Sequence, residues 1–338
     1  MTSVLDMLVY KRPAGSETER AFIRDFILPY APYEMSGNQV IVVDGDPYTL
    51  FSCHTDTVHR TEGVQVVVYD KELNVAYKDD DEPLGADNTA GCWILLKMIE
   101  EGIPGTYVFH YGEEKGCIGS RQMAAEHSAW LSKFRRAIAF DRRGTTSIIT
   151  HQMGSRCCSD TFAKDLAGRL GEDYRPDNTG LYTDTAHYAA FIPECTNISV
   201  GYANEHGPSE TLDLDHLAWL FTAVKKVAWH LLPYDRTPTP RHSANDIYST
   251  TGYDDEPYEY GNYTFGKKPA ANDPRPAWII EDEFLMSKAY ADITSQDSAL
   301  EMVLDHPEEA ASMLYAFVWK MEREFAEQDE TTPDILEY

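Results

Sequence analysis

Basic residues are scarce in this sequence. Among 338 residues, 29 Lys and Arg stand against 56 Asp and Glu, which gives a formal net charge of -27. A surface of this charge repels nucleic acid and anionic membranes, so we expect neither as a partner. The acidic excess is largest from Asp235 onward, where 23 acidic residues face 8 basic ones.

The chain also lacks a CxxC pair, a signal-peptide layout at its N-terminus and any apolar run of about 18 residues. All six cysteines precede residue 196 and stand mostly in apolar segments or motifs, where a free thiol packs as a small hydrophobe. Cys157 and Cys158 are adjacent, an arrangement that strains a disulfide, so packed thiols are expected there. Together these absences predict a soluble, cytoplasmic protein.

Short apolar runs alternate with longer helical patterns between Gln39 and Pro233. This alternation predicts an α/β fold with a central, mostly parallel mixed sheet and helices on both faces. The predicted strands are 39–43, 48–53, 64–69, 106–111, 137–140, 147–151 and 197–202. The predicted helices are 17–28, 88–101, 120–127, 160–170, 185–191 and 214–232.

Composition changes after residue 234, where Pro, Tyr, Asp, Gly and Asn replace the periodic patterns. We therefore predict a catalytic domain over residues 1–234 and a Pro/Tyr/Asp-rich linker or draped segment over 235–277. An acidic helical appendage is predicted over 278–338, where Ser298 and Glu301 form a capping-box pattern. The sequence contains no internal repeat.

Polar residues end or follow four of the predicted strands. They are His54, Glu113, Glu114, Asp141 and His206. Because ligands of open α/β sheets bind beyond the carboxyl ends of the strands, we expect these side chains to converge on one edge. Asp87, in the short loop before a predicted helix, reaches the same edge and is suited to bridge two cations.

This mixture of imidazole and carboxylate ligands favours zinc, with cobalt or manganese as possible substitutes. Asp56 is spaced to accept the proton on the far ring nitrogen of His54, which fixes the ligand tautomer. Two zinc ions sharing a water would lower its pKa and make it the nucleophile, while Glu113 would move its proton to the leaving amine. Hydrolysis of a peptide or amide bond is therefore predicted.

Each segment taken alone is a weak signal. A lone HxD is more often a hydrogen-bonded turn, and adjacent glutamates usually mark a solvated loop. Five segments, each at the proper end of an element, favour a metal hydrolase over these separate explanations. His110, inside a predicted strand, is interpreted as a packed histidine rather than a ligand.

The segments HTDTV, GADNTAG, GEEKGCIGS, the strand-terminal Asp141 and HGPSE occur in this order between about residues 50 and 232. In these motifs the chain resembles the co-catalytic di-zinc exopeptidases, the clan of zinc aminopeptidases, peptidase T-like tripeptidases and glutamate carboxypeptidase-like deacylases. The resemblance implies the phosphorylase/hydrolase-like fold of that clan. It implies one zinc held by His54 and Asp141, another by Glu114 and His206, Asp87 between them, and Glu113 as base.

Two further residues are candidates for substrate binding. Asp184, in the segment TDTAHY, resembles a residue beside the substrate pocket of that clan. Arg142, directly after Asp141, is a candidate clamp for a substrate carboxylate, although a basic residue after a strand is more often a salt-bridged turn.

The spacing of the last two implied ligands bears on the reaction. Deacylases and tripeptidases of the clan carry a lid or dimerisation domain there, but only the 64 residues 142–205 separate Asp141 from His206. This favours an aminopeptidase that removes a terminal residue from short peptides. A carboxypeptidase or N-acyl amino acid deacylase is the alternative within hydrolases. From another class, the alternative is a catalytically silent binding or structural protein on the same fold.

Overall fold

The structure is a computed structural model that describes residues 3–171 and 173–238. Its strands in chain order are β1 (Tyr10–Lys11), β2 (Tyr33–Met35), β3 (Asn38–Val43), β4 (Thr49–His54), β5 (Gly63–Val64), β6 (Val68–Asp70), β7 (Val75–Tyr77), β8 (Gly105–His110), β9 (Arg136–Arg142), β10 (Ser147–Ile149), β11 (His151–Gln152), β12 (Ser155–Arg156), β13 (Arg175–Asp177), β14 (Glu194–Ser199), β15 (Tyr202–Ala203) and β16 (Thr211–Asp213). The helices are α1 (Val4–Leu8), α2 (Glu17–Phe22), α3 (Ala86–Glu100), α4 (Ile118–Glu126), α5 (Ser128–Leu131), α6 (Asp160–Leu170) and α7 (Leu214–Val224). Short 3-10 turns cover Leu28–Tyr30, Glu113–Lys115, Asp184–Tyr188 and Trp229–Leu231.

The central sheet has eight strands in the order β13-β10-β14-β9-β4-β8-β3-β2. Its four middle strands, β14, β9, β4 and β8, are mutually parallel. At one side β3 pairs antiparallel with β8, and β2 pairs antiparallel with β3. The predicted α/β class with a mostly parallel mixed sheet is confirmed. Strands β4 and β8 are buried along their whole length, as expected for parallel strands covered on both faces.

Successive side chains of the middle strands enter two separate apolar clusters, because side chains alternate across a strand. Phe51, Phe109 and Ile138 pack in the cluster that contains residues of α3, α6 and α7. Leu50, Val108 and Ala137 pack in the cluster that contains Met123 of α4. Helices therefore cover both faces of the sheet and hold its carboxyl edge in place between them.

Several predicted elements differ in extent from those observed. The predicted helix 17–28 begins as α2 but continues from Ile23 to Ile27 with π-helical hydrogen bonding. The predicted helix 185–191 is a 3-10 turn over Asp184–Tyr188. The predicted strand 64–69 is divided between β5 and β6, and its Val66 side chain is exposed.

The predicted helix 214–232 is too long, since α7 ends at Val224. Beyond it the chain turns inward and places Trp229 edge-on against Phe51, with ring centroids 5.0 Å apart. Trp229 is 3% exposed, so this turn contributes an aromatic side chain to the core.

Residues 239–277 of the predicted linker and the predicted appendage 278–338 lie outside the described residues. Among the described residues, no helix has both the length and the apolar character to cross a bilayer. All six cysteines are buried free thiols, Cys157 and Cys158 included, as the sequence predicted.

Candidate active site

The carboxyl ends of β4 and β9 bring His54 and Asp141 together, and the start of α3 adds Asp87. The His54 Nε2 atom lies 3.1 Å from Asp87 Oδ1 and 3.2 Å from Asp141 Oδ1. Helix α3 approaches β9 closely because Gly91 has no side chain; a Cβ there would collide with the carbonyl oxygen of Phe140. The sheet and α3 thus form one set of three ligand-type residues.

A second set adjoins the first through the same aspartate. The His206 Nε2 atom lies 3.2 Å from Asp87 Oδ2 and 3.2 Å from Glu114 Oε1. Asp87 therefore presents one carboxylate oxygen to each histidine. The structure brings together all five sequence-predicted metal ligands, in the two overlapping groups His54, Asp87, Asp141 and Asp87, Glu114, His206.

Two buried oxygen atoms show that this cluster suits a cation. Asp141 Oδ1 and Glu114 Oε1 are inaccessible to solvent, and each faces a histidine nitrogen at 3.2 Å, that of His54 for Asp141 and that of His206 for Glu114. Buried carboxylate oxygens of this kind are normally hydrogen-bonded or bound to a metal. The donor set of imidazole nitrogen and carboxylate oxygen fits zinc or a similar divalent ion.

The titration behaviour of the cluster follows from burial and from the close pairs. Burial raises the pKa of Glu114 to about 7, although its bond with His206 opposes the shift. Hydrogen bonds with Asp87 and Glu114 raise the pKa of His206 to about 11. Burial opposes ionisation of Asp87, but its bonds with His206 and His54 hold its pKa well below the usual range. The imidazoles of the cluster thus favour the charged form of the carboxylates beside them, and the carboxylates favour protonated imidazole.

Asp56 fixes the position of the glutamate pair. Its two carboxylate oxygens accept the backbone N–H groups of Glu113 and Glu114, each at 3.1 Å. The His54 Nδ1 atom lies 3.1 Å from the Asp56 carbonyl oxygen and 3.5 Å from its carboxylate. The nearer acceptor for His54 is thus the backbone of Asp56, while the side chain, which is fully buried, holds the turn after β8.

Glu113 sits in the 3-10 turn that follows β8. Gly112, with φ of +64°, opens this turn in the left-handed region that glycine tolerates. The Cys117 thiol lies 3.5 Å from Glu113 Oε1. Burial raises the pKa of the Glu113 carboxyl well above its ordinary value, while nearby His54 opposes that shift.

Asp141 is held by three residues that the sequence did not single out. The Asn197 side chain accepts the Asp141 N–H at 2.9 Å and donates to the Asp141 carbonyl at 2.8 Å. The Tyr202 hydroxyl donates to the same carbonyl at 3.0 Å, and the Thr183 hydroxyl donates to Asp141 Oδ2 at 2.5 Å. Thr183 belongs to the TDTAHY segment, so that motif reaches the cluster through its threonine.

Arg12, in the N-terminal segment, also supports the cluster. Arg12 is fully buried, and its guanidinium donates to the Thr55 carbonyl at 2.7 Å and to the Thr89 hydroxyl at 2.8 Å. It thus ties the loop after β4 to the first turns of α3. No motif marked this residue, because an arginine in a polar N-terminal stretch is ordinarily exposed.

A cleft with a cavity volume of about 130 Å³ opens beside the cluster. Its lining includes Asp87, Glu113, Asp141 and His206. The lining also contains Arg142, as the sequence suggested for a substrate-binding residue; its guanidinium donates to the Thr179 carbonyl at 3.2 Å.

Asp184 is placed differently from Arg142. It is 1% exposed and is absent from the described lining of the cleft. Burial raises the pKa of its carboxyl to about 8, while His54 opposes the shift. Asp184 thus lies within the protein near the cluster rather than on the cleft surface.

His110 is a packed histidine, as interpreted from the sequence. Its ring nitrogens lie 2.9 Å from Asn38 Oδ1 and 3.2 Å from the Tyr188 hydroxyl. Burial lowers its pKa to about 3, so the ring is neutral.

The chain is similar to a known peptidase family and to solved peptidase structures. Residues 36–192 match the model of Peptidase family M28, a span that includes every predicted ligand except His206. Aminopeptidase PepT from Bacillus cereus ATCC 10987 is 15% identical, with a TM-score of 0.54 over 65% of this chain and 95% of that chain. A tripeptidase from Staphylococcus aureus subsp. aureus Mu50 is also 15% identical, with a TM-score of 0.54 over 66% and 95% of the two chains. No curated protein matches the chain in sequence.

At this level of identity the two solved structures establish a shared fold, and the family match adds the relationship in sequence. The predicted resemblance to the zinc exopeptidase clan is confirmed, which favours an enzyme over a catalytically silent binding protein. In residues 36–192 the chain is thus similar to peptidase family M28, and together with the shared fold this identifies the protein as a metallopeptidase of the exopeptidase type.

Proposed function

We propose that this protein is a di-zinc aminopeptidase that releases the terminal residue of short peptides. The observation that carries the proposal is the position of Asp87, whose two carboxylate oxygens lie 3.1 Å from His54 and 3.2 Å from His206. A carboxylate shared in this way suits two neighbouring cations better than one.

In this proposal His54 and Asp141 hold one ion, Glu114 and His206 hold the other, and Asp87 contacts both. When bound, the ions would supply Lewis acidity, which polarises the scissile carbonyl and lowers the pKa of a water. The remaining steps belong to side chains of the protein.

Glu113 is the proposed general base. Its backbone is fixed by Asp56, it lines the cleft, and burial raises the pKa of its carboxyl. A carboxylate whose pKa is raised takes a proton from water more readily and can pass it to the departing amine. Asp56 acts by positioning Glu113, whose N–H it accepts, and His54, whose ring nitrogen contacts the Asp56 carbonyl.

The chain between the last two proposed ligands supports an aminopeptidase. Much of residues 142–205 is used in strands β10, β13 and β14 of the central sheet, in the hairpin of β11 and β12, and in helix α6. Within its described residues this stretch contains no separate lid. The cleft is also small, which suits one terminal side chain of a short peptide.

The test is metal analysis of the purified full chain combined with a panel of blocked and unblocked di- and tripeptides. We expect two zinc ions per chain and hydrolysis that requires a free substrate amine. Absence of bound metal after zinc reconstitution would contradict the proposal.

We also propose that the protein acts in a reducing compartment such as the cytosol, with short peptides as substrates.

One observation favours a carboxypeptidase or N-acyl amino acid deacylase as the second candidate. Arg142 lines the cleft beside Asp141, and a substrate carboxylate there would share its guanidinium with Thr179 and with Asp177, whose Oδ2 lies 3.9 Å away. For that candidate, Arg142→Ala raises KM for substrates with a free carboxylate by roughly tenfold or more. Arg135→Ala is the matched control, because Arg135 stacks on Tyr48 and Tyr234 and is not part of the cleft lining.

A further inference from the structure

Glu210, in the segment HGPSE, is a buried carboxylate that contacts the loop carrying Asp87. Its Oε2 accepts the Gly85 N–H at 2.8 Å, and its Oε1 accepts the Asp87 N–H at 2.9 Å. The residue is 1% exposed. Both of its oxygens are thus directed at backbone amides of the N-cap Gly85 and of the first turn of α3, where N–H groups have no partner inside the helix.

These two bonds join segments that are far apart in the chain. Glu210 follows His206 by four residues, whereas Gly85 and Asp87 precede it by more than 120 residues. The distance between Asp87 Oδ2 and His206 Nε2 is 3.2 Å, and the Glu210 side chain joins the backbone at Asp87 to the segment that carries His206.

The loop has little freedom to compensate for a loss of these bonds. Gly85 has a φ of +74°, and a Cβ at this position would lie 2.8 Å from the His59 ring. The backbone of the loop is therefore held against His59 on one side and against the Glu210 carboxylate on the other.

We propose that Glu210 is a positioning residue that sets the distance between Asp87 and His206 and so determines the affinity of the cluster for divalent cations. This inference rests on the proposed function, because it concerns the residues assigned there as ligands. Glu210 contacts neither ligand side chain and acts through the backbone amides. Outer residues that orient metal ligands typically change metal affinity by about 10- to 100-fold when they are replaced.

The chain offers a matched control in Glu194. This glutamate is also fully buried and accepts backbone N–H groups, from Ser159 at 2.6 Å and from Asp235 at 2.7 Å. It is the first residue of β14, at the end of the sheet opposite to the cluster. Replacement of either glutamate by glutamine sets an amide against a backbone donor, so both variants are expected to lose stability.

The experiment measures zinc affinity of the metal-free full chain by competition with a chromophoric chelator, together with its thermal midpoint. We expect Glu210→Gln to weaken zinc binding by roughly 10- to 100-fold, and Glu194→Gln to lower the midpoint similarly while leaving zinc affinity within about twofold. The inference is overturned if Glu210→Gln binds zinc like the parent chain, or if both variants weaken it equally. If Glu210→Gln does not fold, Glu210→Asp gives the same comparison with the charge retained.

This readout separates the inference from the proposed function. A parent chain that binds zinc but hydrolyses no peptide contradicts the proposed aminopeptidase activity and leaves the role of Glu210 to be decided by the affinities. A parent chain that hydrolyses peptides while Glu210→Gln keeps full zinc affinity contradicts only the role of Glu210.

Discussion

The Asp56 Oδ1 atom accepts the backbone N–H of Glu113 at 3.1 Å, and its Oδ2 accepts the next amide along the chain at the same distance. The carboxylate that the sequence assigned to His54 therefore also determines where the glutamate pair lies. Because each oxygen meets a donor, an amide in its place would set its NH2 group against one backbone N–H.

We expect Asp56→Asn to lower kcat/KM by at least tenfold and to weaken zinc binding, with the fold retained. Peptidase assays and zinc competition on the same preparation measure both effects. Asp46→Asn is the control, because Asp46 is also buried and accepts the Tyr48 N–H at 3.0 Å near the opposite end of β4. Equal losses in the two variants would show that the effect is one of general stability.

Glu113→Gln is expected to keep its metal and to lose about 10²- to 10⁴-fold in kcat/KM, the usual contribution of a general base. Elemental analysis and peptidase kinetics measure the two properties separately. Glu114→Gln, the same change one residue later, is expected to lose metal as well, because Glu114 lies beside His206. Full turnover by the Glu113→Gln protein would exclude this residue as the base.

The variants Asp87→Ala and Asp141→Ala are expected to retain different numbers of zinc ions per chain. Asp87→Ala removes the carboxylate next to both histidines, so both ions should be lost. Asp141→Ala removes a carboxylate that lies next to His54, so one ion should remain. Counting zinc per chain after dialysis distinguishes the two results, and two retained ions in Asp87→Ala would contradict a shared ligand.

His110 is expected to make the stability of the metal-free protein depend on pH. Its pKa is about 3 in the folded protein, below the ordinary value near 6.5, because the ring is buried. The unfolded chain therefore binds a proton first as pH falls, and stability that is complete above pH 6.5 is lost towards pH 3. Between pH 7 and pH 5 this loss amounts to at most about 2 kcal/mol in the free energy of unfolding.

Urea unfolding of the parent chain and of His110→Gln at the two pH values measures this difference. Between pH 7 and pH 5 the free energy of unfolding of His110→Gln should fall less than that of the parent chain, by at most about 2 kcal/mol. In NMR spectra the His110 ring of the parent chain should not titrate above pH 5, and a midpoint near 6.5 would contradict the buried neutral ring.

The site was more predictable than the boundaries of the helices and strands. His54 and Asp141 were found because they end apolar runs, and parallel strands bring such ends to one edge. Glu210 and Arg12 were missed because a buried charged residue leaves no trace in hydrophobic periodicity; its partners are backbone groups from distant segments. The signal available for Glu210 was its place at the end of the segment HGPSE, directly before β16.

Errors in helix and strand extent have a similar origin. The run 64–69 is rich in valine and predicts a strand, yet Val64 and Val66 point into solvent, since pairing depends on neighbours that the local sequence does not specify. The apolar periodicity of α7 continues past Val224, but the packing of Trp229 on Phe51 ends the helix earlier. In both places tertiary contacts override local preference.

The Asn197 side chain fixes the backbone of Asp141, one of the proposed metal ligands. Strand β14 changes register between Asn197 and Ser199, so regular pairing with β9 is interrupted beside Asp141. The Asn197 amide group, with one acceptor and one donor facing the Asp141 backbone, makes the pair of bonds that a neighbouring strand would otherwise supply. Asp141 is thereby anchored like a residue in the interior of a sheet, although it stands at the rim of an open cleft. Because Asp141 is already fixed in place, substrate binding does not have to order the backbone at this position. The entropy cost of that ordering is therefore absent from the free energy of substrate binding.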